Sequence, residues 1–418
     1  MDPAYDPADV FGGARAALRR ALIAPARYIQ GPDAWDELGR YLPLAAGARV
    51  ALLWSRGGEA RFGLRLRDAL AAAGLEAVGV RFGGECSVAE IDRVLGRLGE
   101  AGAPVEAVVA VGGGKCIDAA KAVAWRVGVA VAACPSIAST DAPCSALAVI
   151  YSDDGSPAGA ERYPDGPAVV AVDTSVIARA PARYLVAGMG DALATRYEAR
   201  TCVGNPEARS GLGARPTLAA AVIAEACATT LYADGVAARD AAERGEVTAA
   251  LERVVEVNTL LSGIGFESGG VAAAHCVASG LTALPRVRER ALHGELVAIG
   301  LLAQLVLEDT PDDARRVVGF CAEVGLPVHL GQIGLEPEAR ADLRSVAERA
   351  LTLPFAANEP FPVTVPALVD ALLDAHALGV EVSAQAGDAP YRRLRAGTAP
   401  ADDGSSRAVG PSREGPPR

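Results

Sequence analysis

Residues 107–151 read AVVAVGGGKCIDAAKAVAWRVGVAVAACPSIASTDAPCSALAVIY. The stretch opens with an apolar run, Ala107 to Val111, and turns on Gly112-Gly113-Gly114. A helical pattern follows from Lys115 to Trp125. A second apolar run, Val127 to Cys134, ends at Pro135, and a polar loop runs from Ser139 to Ser145. Strand, glycine turn, helix, strand and loop make one βαβ unit, the building block of a parallel sheet. Glycines lack a Cβ, so a phosphate can approach their N–H groups closely, and the following helix turns its positive end toward it. The triplet alone serves equally well as a tight turn. It is not a P-loop, because Lys115 precedes Cys116, and not the G-x-G-x-x-G fingerprint, because Cys116 and Ile117 follow.

Outward from this unit the same alternation continues. Ala48 to Trp54 reads as a strand, and Gly57-Gly58 turns into a helix over Glu59 to Ala73. Ala77 to Phe82 is a further strand. Ser87 caps a helix to Ala101 that has Val88, Ile91, Val94, Leu95 and Leu98 on one face. Ala168 to Val172 is another strand, so the spacing predicts a parallel sheet covered on both faces. Pro181 marks a change. From Ala182 to about Gly387 the period is helical, with expected helices at Arg183–Met189, Asp191–Val203, Pro216–Ala233, Val236–Leu261, Gly269–Leu281, His293–Glu308, Asp312–Val324, Glu336–Ala350 and Val365–Ala384. The predicted organisation is a loose extension over 1–20, an α/β dinucleotide-binding domain over 21–181, an all-helical metal and substrate domain over 182–390, and a tail over 391–418. The tail is rich in Gly, Ser, Pro and Arg and reads as disordered.

Composition narrows the function. With 418 residues the chain can bury a large core in two domains, and its net charge of -11 argues against a nucleic-acid partner. No uninterrupted apolar run reaches the length of a membrane span, and the start, Met1-Asp2-Pro3-Ala4-Tyr5-Asp6, lacks the features of a signal peptide. The eight cysteines have no C-x-x-C spacing, which fits reduced thiols in the cytoplasm, most of them packed as small apolar residues.

The four histidines are His275, His293, His329 and His376. His275 follows a small-residue stretch from Gly269, and His293 opens an amphipathic helix. Asp191 opens another after Gly188-Met189-Gly190. One carboxylate and two imidazoles from three helices suit a zinc-type cation and leave a coordination position open for substrate. Buried histidines serve as hydrogen-bonded core residues just as well, and His329 and His376, without an acidic pattern beside them, read as structural or surface residues.

Five stretches carry a resemblance: Gly112 to Lys121, Ile137 to Leu147 with Ser-Thr-Asp-Ala-Pro-Cys-Ser-Ala inside it, Gly190 to Thr195, Gly265 to His275, and His293-Gly294-Glu295. On these, from about Pro25 to about Ala384, the chain resembles the glycerol dehydrogenase family of the metal-dependent polyol and alcohol dehydrogenases. The resemblance implies the dehydroquinate synthase-like fold, with the active site in a cleft between an α/β half and a helical half. It implies oxidation of glycerol, or of a related vicinal diol or polyol, to a ketone such as dihydroxyacetone, with NAD taking the hydride. Asp191, His275 and His293 fall on the family's metal-ligand positions. Thr195 stands where the iron-using branch has a further His, which favours one Zn2+ per chain.

The resemblance also assigns Asp141 to a second substrate hydroxyl and Phe266 to the pocket wall, where turn capping and plain core packing are the competing roles. Gly113 and Gly114 are expected at the pyrophosphate. Lys115, Asp118, Ser136, Ser139, Thr140, Ser145, Leu147 and Tyr151 are expected along the nucleotide cleft. Lys115 and Lys121 could add positive charge, with a solvated helix face as the competing role of Lys121. Ser55 replaces the Asp that relatives place at the adenosine ribose, and Arg56 follows it, so NADP competes with NAD as the cofactor. Ala356 to Phe361 also departs from relatives, which leaves the alcohol itself open.

The competing activity is a lyase or cyclase of the dehydroquinate synthase type using NAD transiently. Enzymes of that type bind a phosphate with extra Lys, Arg and Asn residues in the helical half, and the lack of any lysine after Lys121 counts against that class. A non-catalytic homologue is a third alternative, opposed by the intact ligand set. The expected partners are a small alcohol and further copies of the chain in a homo-oligomer, with no nucleic acid and no membrane.

Overall fold

The computed structural model describes residues 5–12, 19–100, 102 and 104–396. The described residues form eight strands: β1 (Tyr28–Gly31), β2 (Arg49–Trp54), β3 (Glu76–Arg81), β4 (Ala107–Gly112), β5 (Ala130–Pro135), β6 (Leu147–Tyr151), β7 (Pro157–Arg162) and β8 (Val169–Asp173). Helices begin with α1 (Pro7–Phe11), α2 (Leu38–Tyr41), α3 (Gly58–Ala71), α4 (Val88–Glu100), α5 (Gly114–Val127) and α6 (Thr174–Ala178). Beyond β8 the elements among the described residues are helical: α7 (Ala182–Gly204), α8 (Leu218–Arg244), α9 (Ala249–Glu256), α10 (Ser262–Gly269), α11 (Ala273–Thr282) and α12 (Pro285–Arg288). It continues with α13 (His293–Leu307), α14 (Pro311–Val324), α15 (Arg340–Ala350), α16 (Val365–Ala386) and α17 (Ala389–Ala396).

Six strands form one parallel sheet in the order β1-β8-β5-β4-β2-β3. Side chains alternate across it, as the two-residue period of a strand requires. Val50, Leu52, Trp54, Val109 and Val111 pack on one face with Trp35, Leu66 and Leu70. Ala51, Leu53, Val108 and Ala110 face the other way, into a core that runs on through α5 to the C-terminal helices. From β2 the chain moves outward to β3, and from β4 it moves the opposite way to β5. The order therefore reverses between β2 and β4, and such a switch point opens a crevice at the carboxyl ends of the strands. Ser55 and Gly112-Gly113-Gly114 lie at that crevice.

Several details differ from the sequence expectation. β6 and β7 pair as a separate antiparallel ribbon beyond the polar loop, and β1 adds an edge strand beside β8. α7 runs unbroken through Gly188-Met189-Gly190, where two helices were expected. The helix expected over Val236–Leu261 is interrupted after Arg244; Thr248 caps α9, and a π-helical turn over Val257–Leu261 joins it to α10. Residues 389–396, partly assigned to a disordered tail, form α17 with Leu394 only 6% exposed. The remainder of that tail, 397–418, lies outside the described residues, as does much of the 1–20 extension.

Among the described residues α8 alone combines the length and mean hydropathy (1.2) of a membrane-crossing helix, owing to its alanines, and it packs along α7, α9 and α10.

Candidate metal and nucleotide site

Three helices bring Asp191, His275 and His293 together. Asp191 is on α7, His275 on α11 and His293 on the first turn of α13. One donor atom from each lies within 4.8 Å of the others. α7 and α13 approach closely because Gly190 and Gly294 face one another. A Cβ on Gly294 would collide with the Ala187 carbonyl, and one on Gly190 with the Gly294 carbonyl. Asp191 is 1% exposed, and its Oδ1 has no hydrogen-bond partner. It faces His275 Nε2 at 3.4 Å and His293 Nε2 at 3.5 Å. An unpartnered carboxylate oxygen in the interior is costly, so the donor set fits a cation seated between the three groups. The His293 side chain is 46% exposed, which leaves one side of the cluster accessible.

Glu198 stands behind the cluster. It is fully buried on α7, and its Oε2 lies 2.5 Å from His275 Nδ1. Its Oε1 accepts the N–H groups of Ala272 at 2.7 Å and His275 at 3.0 Å. Such a carboxylate holds the proton on Nδ1, so that a cation entering the cluster would take Nε2 as its ligand atom. Burial opposes charge on His275, but the Glu198 and Asp191 carboxylates outweigh it and hold its pKa well above the usual imidazole value. Burial holds the pKa of His293 below that value. Burial would raise the pKa of Asp191; the two imidazoles outweigh it and the carboxyl is held low.

The polar loop passes directly beside this cluster. The Asp141 N–H donates to Asp191 Oδ2 at 3.3 Å, and burial together with the Asp191 charge lifts the Asp141 carboxyl well above the carboxylate range. Phe266 on α10 stacks against His275, ring centres 6.4 Å apart and planes at 21°. Thr195, fully buried, is bonded to Ser262 Oγ at 3.0 Å.

At the crevice the Ser55 N–H bonds to the Val111 carbonyl at 3.0 Å, and the Ser136 N–H to the Gly112 carbonyl at 3.0 Å. Gly113 and Gly114 lie against the loop: a Cβ on the first would meet Ile137 at 2.9 Å, and one on the second Thr140 Oγ1 at 3.1 Å. Ser139 is buried near them. Lys115 bonds to Glu85 at 2.6 Å, and its ammonium lies 4.9 Å from the centre of the Tyr151 ring.

Lys121 corrects the sequence reading. It is 3% exposed, far from a solvated face, and its ammonium meets Asp118 Oδ1 at 3.1 Å, Ser145 Oγ at 2.9 Å and the carbonyls of Ala142 (2.6 Å) and Leu147 (2.8 Å). Asp118 Oδ2 accepts the Val149 N–H at 3.0 Å. The side chains of Asp118 and Ser145 and the Leu147 carbonyl, all expected along the cleft, are thus engaged in fastening the loop to α5. The physical reason is that a buried ammonium must fill its three N–H directions with acceptors.

Three further positioning residues escaped the sequence reading. Glu198 carried a usable signal, since it follows Asp191 by two helical turns on one face. Asn258, on the π-helical turn, donates to the carbonyls of Ala138 at 3.0 Å and Leu185 at 2.9 Å. Glu267 accepts the Ala146 N–H with both oxygens, at 3.1 and 3.0 Å. Nothing local distinguishes these two from surface polar residues.

Residues 25–174 match the family pattern described as iron-containing alcohol dehydrogenase. The glycerol dehydrogenase of Escherichia coli is 47% identical over 347 residues, covering 80% of this chain and 90% of that protein. The glycolaldehyde reductase of Halobacterium salinarum is 42% identical over 362 residues, covering 86% and 98%. The crystal structure of glycerol dehydrogenase from Schizosaccharomyces pombe superposes with a TM-score of 0.83 at 34% identity, covering 88% of this chain and 93% of that one. At this identity and coverage, the chain belongs to the glycerol dehydrogenase family of the iron-containing alcohol dehydrogenases, a family of oxidoreductases.

Proposed function

We propose that this protein oxidises the secondary hydroxyl of glycerol, or of a closely related vicinal diol, to the ketone with a nicotinamide cofactor as hydride acceptor. The observation that carries the reading is the unpartnered Asp191 Oδ1 facing the Nε2 atoms of His275 and His293. These three residues would hold a divalent cation, and Thr195 at the position of a further His favours zinc over iron. A bound cation supplies Lewis acidity that lowers the pKa of the substrate hydroxyl, and the nicotinamide accepts the hydride.

This chain's own residues do the rest. Glu198 fixes the His275 tautomer. Asp141 receives a second substrate hydroxyl, and Phe266 closes the pocket against water. Gly113 and Gly114 offer backbone N–H groups to the pyrophosphate at the start of α5, with Ser55, Ser136, Ser139, Thr140 and Tyr151 around the crevice. Lys121, through Asp118, Ser145 and the Leu147 carbonyl, keeps the loop in place. The absence of a carboxylate at Ser55, with Arg56 beside it, supports testing NADP alongside NAD. A two-domain division at Pro181, cytoplasmic location and assembly into a homo-oligomer belong to the same reading.

The test follows reduced nicotinamide by absorbance on zinc-loaded protein, with glycerol and short vicinal diols, once with NAD and once with NADP. Glycolaldehyde in the reducing direction is included because of the Halobacterium relative. Turnover with glycerol or a vicinal diol is expected. Silence with every substrate in both directions, despite stoichiometric zinc, overturns the reading.

A further inference from the structure

Glu295 follows His293 on the first turn of α13 and is 1% exposed. Its carboxylate gathers two guanidinium groups. Arg183, on the first turn of α7, donates from Nε to Oε1 and from Nη2 to Oε2, both at 2.8 Å. Arg395, on α17, reaches Oε1 at 2.6 Å. Oε2 also accepts the Leu292 N–H at 3.0 Å and so caps α13 immediately before His293. One carboxylate therefore ties together the starts of the two helices that carry Asp191 and His293.

Arg183 alone would satisfy this carboxylate with its two-pronged bond. A second guanidinium, with its side chain only 19% exposed, costs desolvation, and pairing alone does not require it. Its source explains it. α17 is seated beside α14 by Leu394, which lies against Gly325, and by the Tyr391 hydroxyl, which donates to the Gln332 carbonyl. The Arg395 guanidinium covers the Tyr391 ring at 3.7 Å. Arg393 on the same helix points elsewhere, to Glu243 at 2.7 Å.

We infer that α17 is a latch on the metal-bearing helices, in which Arg395 acts through Glu295 as a positioning residue that holds His293 in register with Asp191. The inference rests on the reading of Asp191, His275 and His293 as a metal site. Without the Arg395 contact the α13 start keeps its cap and Arg183 but loses the brace from α17, so His293 samples a wider range of positions.

The test measures zinc affinity by chelator competition on full-length protein stripped and reloaded, for wild type, Arg395→Met, Arg395→Lys and Arg393→Ala. Substitution of groups that orient metal ligands weakens metal binding about 10- to 100-fold. Arg395→Met is expected near the lower end, about tenfold. Arg395→Lys, which keeps the charge but not the fork, is expected between it and wild type. Arg393→Ala, which cuts only the Glu243 pair, is expected to match wild type. The visible spectrum of cobalt-loaded protein gives a second readout of ligand geometry and is expected to change in Arg395→Met alone among the Met and Ala variants.

Equal zinc affinity in wild type and Arg395→Met, both folded by circular dichroism, overturns the latch. So does an equal loss in Arg393→Ala, which would reduce α17 to general packing. Should Arg395→Met fail to fold, Arg395→Lys decides by the same comparison. A wild-type protein that takes up no stoichiometric zinc overturns the metal reading and the latch with it, an outcome distinct from intact binding that ignores Arg395.

Discussion

Glu198 and His275 meet through a 2.5 Å contact between Oε2 and Nδ1, while the other Glu198 oxygen accepts the His275 main-chain N–H. Glu198→Gln separates these roles. Its amide oxygen must face the N–H groups of Ala272 and His275, which puts the amide nitrogen opposite Nδ1. A donor there shifts the ring proton to Nε2 and removes the lone pair a cation needs. Zinc affinity is expected to fall by about 10- to 100-fold with the fold retained. Chelator competition checks it; an affinity equal to wild type would show that the tautomer is set by something else.

Gly294→Ala places a methyl group against the Ala187 carbonyl and pushes α13 from α7. Overpacking of this kind costs about 1–3 kcal/mol. Because the same displacement separates His293 from Asp191, stability and zinc content should fall together. Urea unfolding and metal analysis on the same preparation test this, and a variant that loses neither contradicts the close-crossing argument.

Lys121→Met leaves the Asp118 carboxylate buried without its ammonium. Breaking one side of a buried pair costs about 3–5 kcal/mol. The double variant Lys121→Met with Asp118→Asn should regain part of that loss, since no buried charge remains. Lys121→Arg should not recover wild-type stability, because a planar guanidinium cannot reproduce the compact ammonium's four contacts. Denaturation midpoints of the three variants decide the matter, with KM for the nicotinamide as a report on loop placement.

Glu267 supplies a pH dependence. Burial raises its pKa from 4.5 to about 7, against the opposing pull of the Ala146 N–H and of Lys121. The folded protein therefore binds more protons than the unfolded chain between those values. Stability falls as pH rises across that window, by up to about 3 kcal/mol for this group, and the loss is complete above it. Glu267→Gln keeps an acceptor for Ala146 and removes the titration. Its stability relative to wild type should improve between about pH 5 and about pH 8. A difference independent of pH would assign the slope to other groups.

Which features were legible in the chain follows from how far apart their causes lie. The βαβ unit around Gly112-Gly113-Gly114 is local: apolar runs, a glycine turn and a helical period sit within 45 residues. The candidate donor set was partly legible because histidines are scarce and because the motifs around Asp191, His275 and His293 resemble a known family. The break expected at Gly188-Met189-Gly190 did not occur, because these glycines serve contact with Asn258 and α13 and do not end the helix.

By itself, then, the sequence determined the alternating strands and helices around the central βαβ unit and the change of character after Pro181, because periodicity and residue chemistry act over one or two turns of chain; the assignment of the candidate donors Asp191, His275 and His293 came from the family resemblance. Only the tertiary structure decided how buried charges are partnered. Lys121 reads like any helix-face lysine until the loop from Ala142 to Leu147 folds over it, and residues 391–396 read as tail until Arg395 finds Glu295. A buried polar group takes its role from the acceptors that distant segments bring to it, and no local pattern encodes that meeting.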